Sequence, residues 1–177
     1  SERLIWIDCE MTGLEPDRDA LVEIAVIVTD ANLEIIAEGP SIEINQPDDV
    51  LAGMSDWCRR TFAVNGLTER VRRSTISLRL AEELVLAFLA RHTPAGRCLL
   101  AGNSVWMDRL FLRRQMPRVN AHLHYSSVDV TPIREVGRRW FPAETTAAPR
   151  KTNTHRALDD IKESIEELRY YRSHLFK

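Results

Sequence analysis

The sequence has little cysteine and no long apolar run, and both absences narrow the class of protein. Its three cysteines are widely separated and form no Cys-x-x-Cys pair, which argues against a disulfide framework and against zinc motifs and favours a reducing compartment. No stretch approaches the ~20 apolar residues of a membrane span. We therefore expect no membrane association, an intracellular location that is cytoplasmic or mitochondrial, and no targeting peptide, because the first predicted strand begins at residue 4.

The chain also has almost no excess of charge of either sign. It carries 24 basic against 26 acidic residues, a net charge of −2, and so has no global field to attract long nucleic acid. This balance argues against a duplex binder, whose affinity depends on neutralising many phosphates. Basic pairs at 113–114, 138–139 and 150–151 are interpreted as solvated faces.

Repeats, low-complexity tracts and linkers are absent as well. The 177 residues, of which 44% are hydrophobic, are therefore predicted to form a single domain with a substantial core. Strands are predicted at 4–9, 21–29, 34–38 (which could run on through Ile42 and Ile44), 99–101 and 127–130; helices are predicted within 48–62, at 77–92, 105–116 and 133–140, and at the end of the chain. A turn signal at 30–32 makes the first three strands an antiparallel meander, and strands that alternate with helices should be parallel. The prediction is an α/β fold with a mixed five-stranded sheet flanked by helices.

Two carboxylates end the first predicted strand. Asp8 and Glu10 follow the apolar run at 4–7, and the two-residue period of a strand directs both side chains to one face. Their repulsion is relieved if they share a proton or a cation, and Mg²⁺ or Mn²⁺ prefers such oxygen ligands. The alternative is an ordinary exposed strand end. Together with the other acids described next, the pair predicts a divalent metal site.

Two later segments carry further candidate residues. Asp108 opens a helical segment after the apolar run at 99–101, near the end of a strand where α/β sheets gather ligand groups. The segment at 154–160 begins the last helix and contains His155, Asp159 and Asp160. His155 and Asp160 are separated by about 140° on a continuous helix, so His155 should lie in or before the first turn, where it could act as a general base. Spacing alone does not choose between Asp159 and Asp160. An isolated histidine near a helix start is more often a cap or a surface residue, and only its coincidence with the other carboxylates favours a role as a base.

These residues occur in motifs that resemble those of the DEDDh 3′–5′ exonucleases, and among them most closely the oligoribonucleases. The matching segments are IWIDCEMTGL at 5–14, AGNS at 101–104, LHY at 123–125 and HRALDD at 155–160. SDWC at 55–58 and LAGNSV at 100–105 are most similar to the animal members, some of them mitochondrial. The resemblance extends from residue 4 to residue 177 and implies a ribonuclease H-like fold and a single exonuclease domain over 1–177.

The resemblance also implies roles for individual residues. The implied metal ligands for two Mg²⁺ or Mn²⁺ ions are Asp8, Glu10, Asp108 and Asp160, and the implied catalytic base is His155; the implied contacts to substrate are Leu14, Trp57, Ser104 and Tyr125. Tyr125 would reach the partner subunit's site in a homodimer, and the substrate would be short single-stranded RNA. In the alternative interpretation, Leu14 and Trp57 are ordinary core and Tyr125 is a buried ring.

Two positions depart from the family pattern. Ser126 stands where the family commonly has Arg, and Thr131-Pro132 stands where it commonly has Ser-Thr. Both positions belong, in the family, to the contacts with the 5′ phosphate. A serine cannot replace the bidentate, charge-assisted bond of a guanidinium. We therefore expect smaller differences between the cleavage rates of phosphorylated and unphosphorylated dinucleotides than in relatives that keep the arginine.

Three functions remain open at this stage. The first is a metal-dependent exoribonuclease that removes nucleotides from the 3′ end of very short RNA and releases nucleoside 5′-monophosphates. The second is a trimming or proofreading exonuclease on longer DNA or RNA. The third is a binding module that has lost catalysis, which the intact set of five acidic and histidine residues argues against.

Overall fold

The computed structural model describes residues 2–176, within which there are five strands and nine helices. The strands are β1 (Leu4–Met11), β2 (Leu21–Thr29), β3 (Ile35–Glu43), β4 (Leu99–Gly102) and β5 (Ser127–Asp129). The helices are α1 (Asp48–Ala52), α2 (Asp56–Val64), α3 (Leu67–Arg73), α4 (Leu78–His92), α5 (Val105–Gln115), α6 (Pro117–His122), α7 (Val130–Trp140), α8 (Pro142–Thr146) and α9 (Ala157–His174). Among the described residues, no helix has the length and apolar character needed to cross a membrane.

The five strands form one sheet in the order β3-β2-β1-β4-β5. Strand β2 is antiparallel to both β1 and β3, whereas β4 is parallel to β1 and β5 is parallel to β4. The predicted antiparallel meander and the predicted mixed five-stranded sheet are both confirmed. Strand β1 therefore lies at the centre, with the antiparallel half on one side and the parallel half on the other.

Alternation along β1 distributes its side chains between two helical layers. Ile5 and Ile7 pack in a core cluster with residues of α4, α5 and α6. Trp6 points to the opposite face and packs with residues of α7 and α9. Even-numbered positions of β1 therefore face α9, which decides where the carboxylates that follow Trp6 are directed.

Three short helices were not predicted from the sequence. Helices α6 and α8 have six and five residues and begin with Pro117 and Pro142, whose fixed φ suits a first helical position. Helix α3 has seven residues and follows Gly66, which has a left-handed φ of 77°. None of the three is long enough to display a hydrophobic period, so the sequence pattern left these positions unassigned.

Two helix boundaries also differ from the prediction. Residue 130 was assigned to a strand but begins α7, because the Asp129 carboxylate accepts a hydrogen bond from the Thr131 amide at 3.0 Å and caps the helix there. The last helix begins at Ala157, so its predicted start at 154 was too early. His155 consequently lies before the first turn, which is one of the two placements that the spacing predicted.

Candidate active site

Three of the predicted metal ligands come together where β1 ends against α9. Asp8 and Glu10 extend from β1 on the face that Trp6 packs against, and Asp160 lies in the first turn of α9. One ligand oxygen from each carboxylate lies within 4.8 Å of the other two. Asp160, rather than its neighbour Asp159, belongs to this group, which resolves the choice that spacing left open.

One atom of the cluster lacks a protein partner. The Asp8 Oδ2 atom is buried and has no hydrogen-bond partner among the described residues. A buried carboxylate oxygen without a donor is costly, and a cation would relieve that cost. The donor set consists of oxygens only, which is the set that Mg²⁺ and Mn²⁺ prefer.

Burial and mutual repulsion shift the pKa values of the cluster upward. Burial, followed by the charges of Asp108 and Glu10, raises the pKa of Asp8 well above its usual range. Burial and the adjacent Asp160 raise the pKa of Glu10 to about 10. Burial also raises the pKa of Asp160, against the opposing effects of a hydrogen bond with Glu10 and the charge of His155. Without a cation, the Glu10 carboxyl group therefore retains its proton at neutral pH.

Asp108 approaches the same region from the opposite helical layer. It lies in the first turn of α5, and its Oδ1 accepts a hydrogen bond from the Cys9 amide at 2.9 Å. Burial raises the pKa of Asp108 to about 7, although the bond from the Cys9 amide lowers it. Asp108 is not in the group of three oxygens within 4.8 Å, but its charge is the second cause of the raised Asp8 pKa. Cys9 is buried, as predicted for a core residue between the two acids.

The shifted carboxyl groups predict that the metal-free protein loses stability as pH rises. The folded state holds protons on Glu10 and Asp108 up to about pH 10 and pH 7, whereas model carboxyl groups lose theirs near pH 4. The folded state thus binds more protons than the unfolded state in this window, and the free energy of unfolding falls with pH. We expect the melting temperature in chelator to decrease between pH 5 and pH 9.

The Glu10→Gln variant separates this effect from other titrations. Because the amide carries no charge, the variant should melt higher than the natural protein at pH 8 and show a shallower pH dependence. Each pKa unit corresponds to about 1.4 kcal/mol, or roughly 3–6 °C in melting temperature for a domain of this size. Equal slopes for the two proteins in differential scanning calorimetry would contradict the assignment.

His155 lies beside the carboxylate cluster, in the segment that precedes α9. Its backbone has a left-handed φ of 53°, which is uncommon for a residue other than glycine. Its imidazole packs edge-on against the Trp57 indole, with the ring centroids 5.0 Å apart at 87°. The charge of His155 lowers the Asp160 pKa, which indicates that the ring is near that carboxylate. The alternatives of a helix cap or an isolated surface residue are therefore not supported.

Leu14 and Trp57 line a pocket that opens next to Glu10. The pocket has a volume of about 600 Å³, and most of its exposed lining is apolar. Leu14 is 66% exposed and Trp57 is 49% exposed, so the alternative that they are ordinary core residues is wrong. Exposed apolar side chains beside a carboxylate cluster could contact nucleotide bases.

Ser104 lies in the loop that follows β4, and Tyr125 lies in the loop that precedes β5. Tyr125 is 87% exposed and rests against the His124 ring, so the alternative of a buried ring is wrong. The Ser104 hydroxyl donates to the Thr131 hydroxyl at 3.2 Å. The two hydroxyls that the resemblance associates with a 5′ phosphate are thus adjacent.

The loop at Ser126 is held by Arg109, whose guanidinium donates to the carbonyl groups of His124 and Ser126 at 2.8 and 3.3 Å.

The basic pair at 150–151 was interpreted as a solvated face, and this is wrong for Lys151. Its ammonium group pairs at 3.1 Å with Glu167, whose side chain is buried, and donates to the Asn103 side chain at 2.9 Å. The pairs at 113–114 and 138–139 are exposed, as predicted.

Sequence reasoning missed an ion pair next to the site. Glu23 is buried in β2, opposite Glu10, and accepts hydrogen bonds from the Arg156 guanidinium at 2.8 and 3.0 Å. Glu23 also accepts the amide of Ala157, the first residue of α9, at 2.7 Å. A charged residue within the otherwise apolar run at 21–28 was a signal that could have identified it.

The chain is similar along its length to known exonucleases. Residues 5–168 match the model of the RNase_T exonuclease family. The chain is 49% identical to human mitochondrial oligoribonuclease over 177 residues, which are 100% of this chain and 75% of the human protein. It is 51% identical to the oligoribonuclease of Pseudomonas aeruginosa PAO1 over 176 residues, which are 99% of this chain and 97% of that protein.

Solved structures with a similar fold are more distant in sequence. E. coli exonuclease I in complex with a dA16 oligonucleotide superposes with a TM-score of 0.76 at 16% identity, covering 98% of this chain and 41% of exonuclease I. A zinc-bound form of the exonuclease I complex with single-stranded DNA has a TM-score of 0.76 at 17% identity, and the match covers 97% of this chain and 40% of exonuclease I. This likeness confirms the ribonuclease H-like fold. Matched along its whole length to relatives near 50% identity, the chain belongs to the oligoribonuclease family of RNase_T exonucleases.

Proposed function

We propose that residues 1–177 act as a single exonuclease domain that degrades very short RNA from its 3′ end to nucleoside 5′-monophosphates. The observation that carries this proposal is the convergence of Asp8, Glu10 and Asp160 oxygens within 4.8 Å, next to a pocket rimmed by exposed Leu14 and Trp57. Membership of the oligoribonuclease family supports the reaction and the class of substrate.

Two Mg²⁺ or Mn²⁺ ions are the proposed cofactors. Asp8, Glu10 and Asp160 would hold them together with Asp108, and the buried, unpartnered Asp8 Oδ2 fits a role as a ligand. When bound, the ions supply Lewis-acid stabilisation of the charge that develops on the oxygens of the phosphodiester. The carboxylates keep the ions in place, and their pKa values return to the ionised range once a cation neutralises the cluster.

His155 is the proposed general base. Its imidazole would accept the proton of the attacking water, and the nearby Asp160 carboxylate stabilises the imidazolium that results. The Trp57 indole packs against the imidazole with the two ring planes nearly perpendicular. Trp57 therefore has two proposed roles: it contacts the His155 imidazole, and it contacts the substrate.

Four side chains are the proposed contacts with the RNA. Leu14 and Trp57 would pack against bases, and stacking of this kind is worth about 1–3 kcal/mol per base without regard to sequence. Ser104 would contact the 5′ phosphate, with the Thr131 hydroxyl beside it. Tyr125 would complete the site of a second subunit.

One experiment separates this function from its alternatives. The rate of 3′-nucleotide release is measured on a ribodinucleotide and on a 20-nucleotide strand, with Mg²⁺ and with chelator. We expect rapid, chelator-sensitive cleavage of the dinucleotide. Preference for the long strand would favour a trimming exonuclease, and binding without cleavage would favour a scaffold.

Fractionation of cells that express a tagged full-length protein would test the proposed cytoplasmic or mitochondrial location, which the free cysteines and the mitochondrial relatives support.

A homodimer is proposed because Tyr125 extends from the surface. Its ring is 87% exposed and is therefore accessible to a second copy of the chain, which is the contact that the family resemblance implies. We expect Tyr125→Ala to reduce dinucleotide cleavage far more than it reduces metal affinity. In a twofold dimer each Tyr125 would serve the other subunit, so mixing Tyr125→Ala with Asp8→Ala subunits should restore part of the activity. A fully active monomer in light scattering would contradict the proposal.

A further inference from the structure

The turn between α2 and α3 contacts the segment that carries His155. The side-chain amide nitrogen of Asn65 donates to the carbonyl of Thr154 at 3.2 Å and to the carbonyl of His155 at 3.3 Å. The Asn65 Oδ1 accepts the amide of Leu67 at 3.0 Å, which orients the donating nitrogen. One side chain thus joins two segments that are 90 residues apart in the sequence.

The same helix also supports the His155 ring. Asn65 is the C-terminal cap of α2, and Trp57 in the first turn of α2 packs edge-on against the imidazole. The His155 backbone has a φ of 53°, a conformation that costs free energy and persists only where surrounding contacts hold it. Asn65 and Trp57 therefore supply these contacts at the carbonyl and at the ring.

Charged side chains connect Asn65 to the other side of the His155 segment. The Arg70 guanidinium donates to the Asn65 carbonyl at 2.7 Å and pairs with Glu43 at 3.4 Å. Glu43 in turn accepts a hydrogen bond from Arg156 at 2.9 Å. Arg156 directly follows His155, so the contacts form a closed loop around the histidine backbone. Such a loop limits displacement of the segment along the sheet edge.

We propose that Asn65 is a positioning residue, which holds the His155 backbone so that the imidazole is directed at the attacking water. This inference rests on the proposed role of His155 as the base. Asn65 is not assigned any contact with substrate or metal. Its removal would let the histidine segment relax toward an ordinary φ and carry the ring away from the Asp160 carboxylate.

The first test compares Asn65→Ala with a matched control. Asn45 makes the same type of contact elsewhere, because its side-chain nitrogen donates to the carbonyls of Val71 and Arg72 at 3.2 and 3.3 Å. We expect Asn65→Ala to lower kcat on a ribodinucleotide about 10- to 100-fold, as small displacements of catalytic groups do. The KM and the Mn²⁺ affinity measured by calorimetry should change little. Asn45→Ala should lose comparable stability and keep its kcat; equal kcat losses in the two variants would overturn the proposal.

The second test is a double-mutant cycle with His155→Ala. If Asn65 acts through His155, the Asn65→Ala change should have no further effect on kcat once the imidazole is absent. Multiplicative losses would show that Asn65 acts independently and would overturn the inference alone. Full kcat in His155→Ala itself would instead overturn the proposed base. Asn65→Asp keeps the acceptor for the Leu67 amide but cannot donate, so it should lose kcat as alanine does and serves the cycle if Asn65→Ala folds poorly.

Discussion

Asp8→Ala and Asp160→Ala are each expected to reduce exonuclease activity to background, the largest effect anticipated for this protein. Both carboxylates belong to the group whose oxygens lie within 4.8 Å of one another, and loss of either would remove one of the proposed metal ligands. Since loss of a mere outer partner of a metal ligand typically costs about 10- to 100-fold, loss of a direct ligand should exceed 100-fold. The measurement is the rate of ribodinucleotide cleavage at saturating Mn²⁺, with metal stoichiometry from calorimetry.

Asp159→Ala is the matched control for the second variant. Asp159 is the adjacent carboxylate, is exposed, and accepts a hydrogen bond from Thr154 at 3.1 Å rather than joining the cluster. The control should retain most of the activity and all of the metal binding. Both active-site variants should fold, and in chelator they should melt at or above the temperature of the natural protein because the charge repulsion is reduced. Full activity in Asp8→Ala or Asp160→Ala would exclude the proposed metal site.

His155→Ala should lower kcat by roughly 10²- to 10⁴-fold, the range expected when a general base is removed. Because the imidazole is not among the three ligand groups, the variant should bind Mn²⁺ with unchanged stoichiometry. The Trp57 indole loses its edge contact, which should change the tryptophan fluorescence locally without loss of secondary structure. Single-turnover rates on a ribodinucleotide measure the chemical step directly.

A surface histidine supplies the comparison for this variant. His174 stacks on Tyr170 near the end of α9 and is exposed, so His174→Ala should leave kcat unchanged. If calorimetry found that His155→Ala had lost its Mn²⁺, His155 would be a ligand and its assignment as the base would be wrong.

The sheet was largely predictable from the sequence, whereas the short helices were not. The run at 21–29 is apolar apart from Glu23 and Thr29, and its predicted bounds agree with β2. By contrast, α6 and α8 are too short to show a period and depend on a proline start and on packing against longer helices. The order of the strands could be predicted only in part. Turn signals identify hairpins, whereas the pairing of β1 with β4 joins residues almost 100 positions apart in the sequence.

The candidate site was predicted residue by residue, but its supporting contacts were not. Asp8, Glu10 and Asp160 were identified from an acidic pair after an apolar strand, from a helix start and from family motifs, and the structure brings them together. The ion pair of Glu23 with Arg156 and the contact of Asn65 with the His155 segment were not predicted. Each joins residues 90 or more positions apart, and no local pattern records such a contact.

The sequence by itself determined which chemical groups are available and on which elements they lie, because hydrophobic period and turn residues are local properties. It also determined the family, since the motifs occur in order along the whole chain. The family motif had already implied Asp160 rather than Asp159, and the tertiary structure brings Asp160 into the cluster. Only the tertiary structure decided that the Asp108 carboxylate accepts the Cys9 amide from the opposite helical layer. It also decided that Lys151 pairs with a buried carboxylate. The physical reason is that these outcomes depend on the face of β1 that α9 covers, and that face is selected by packing of the whole core rather than by any one segment.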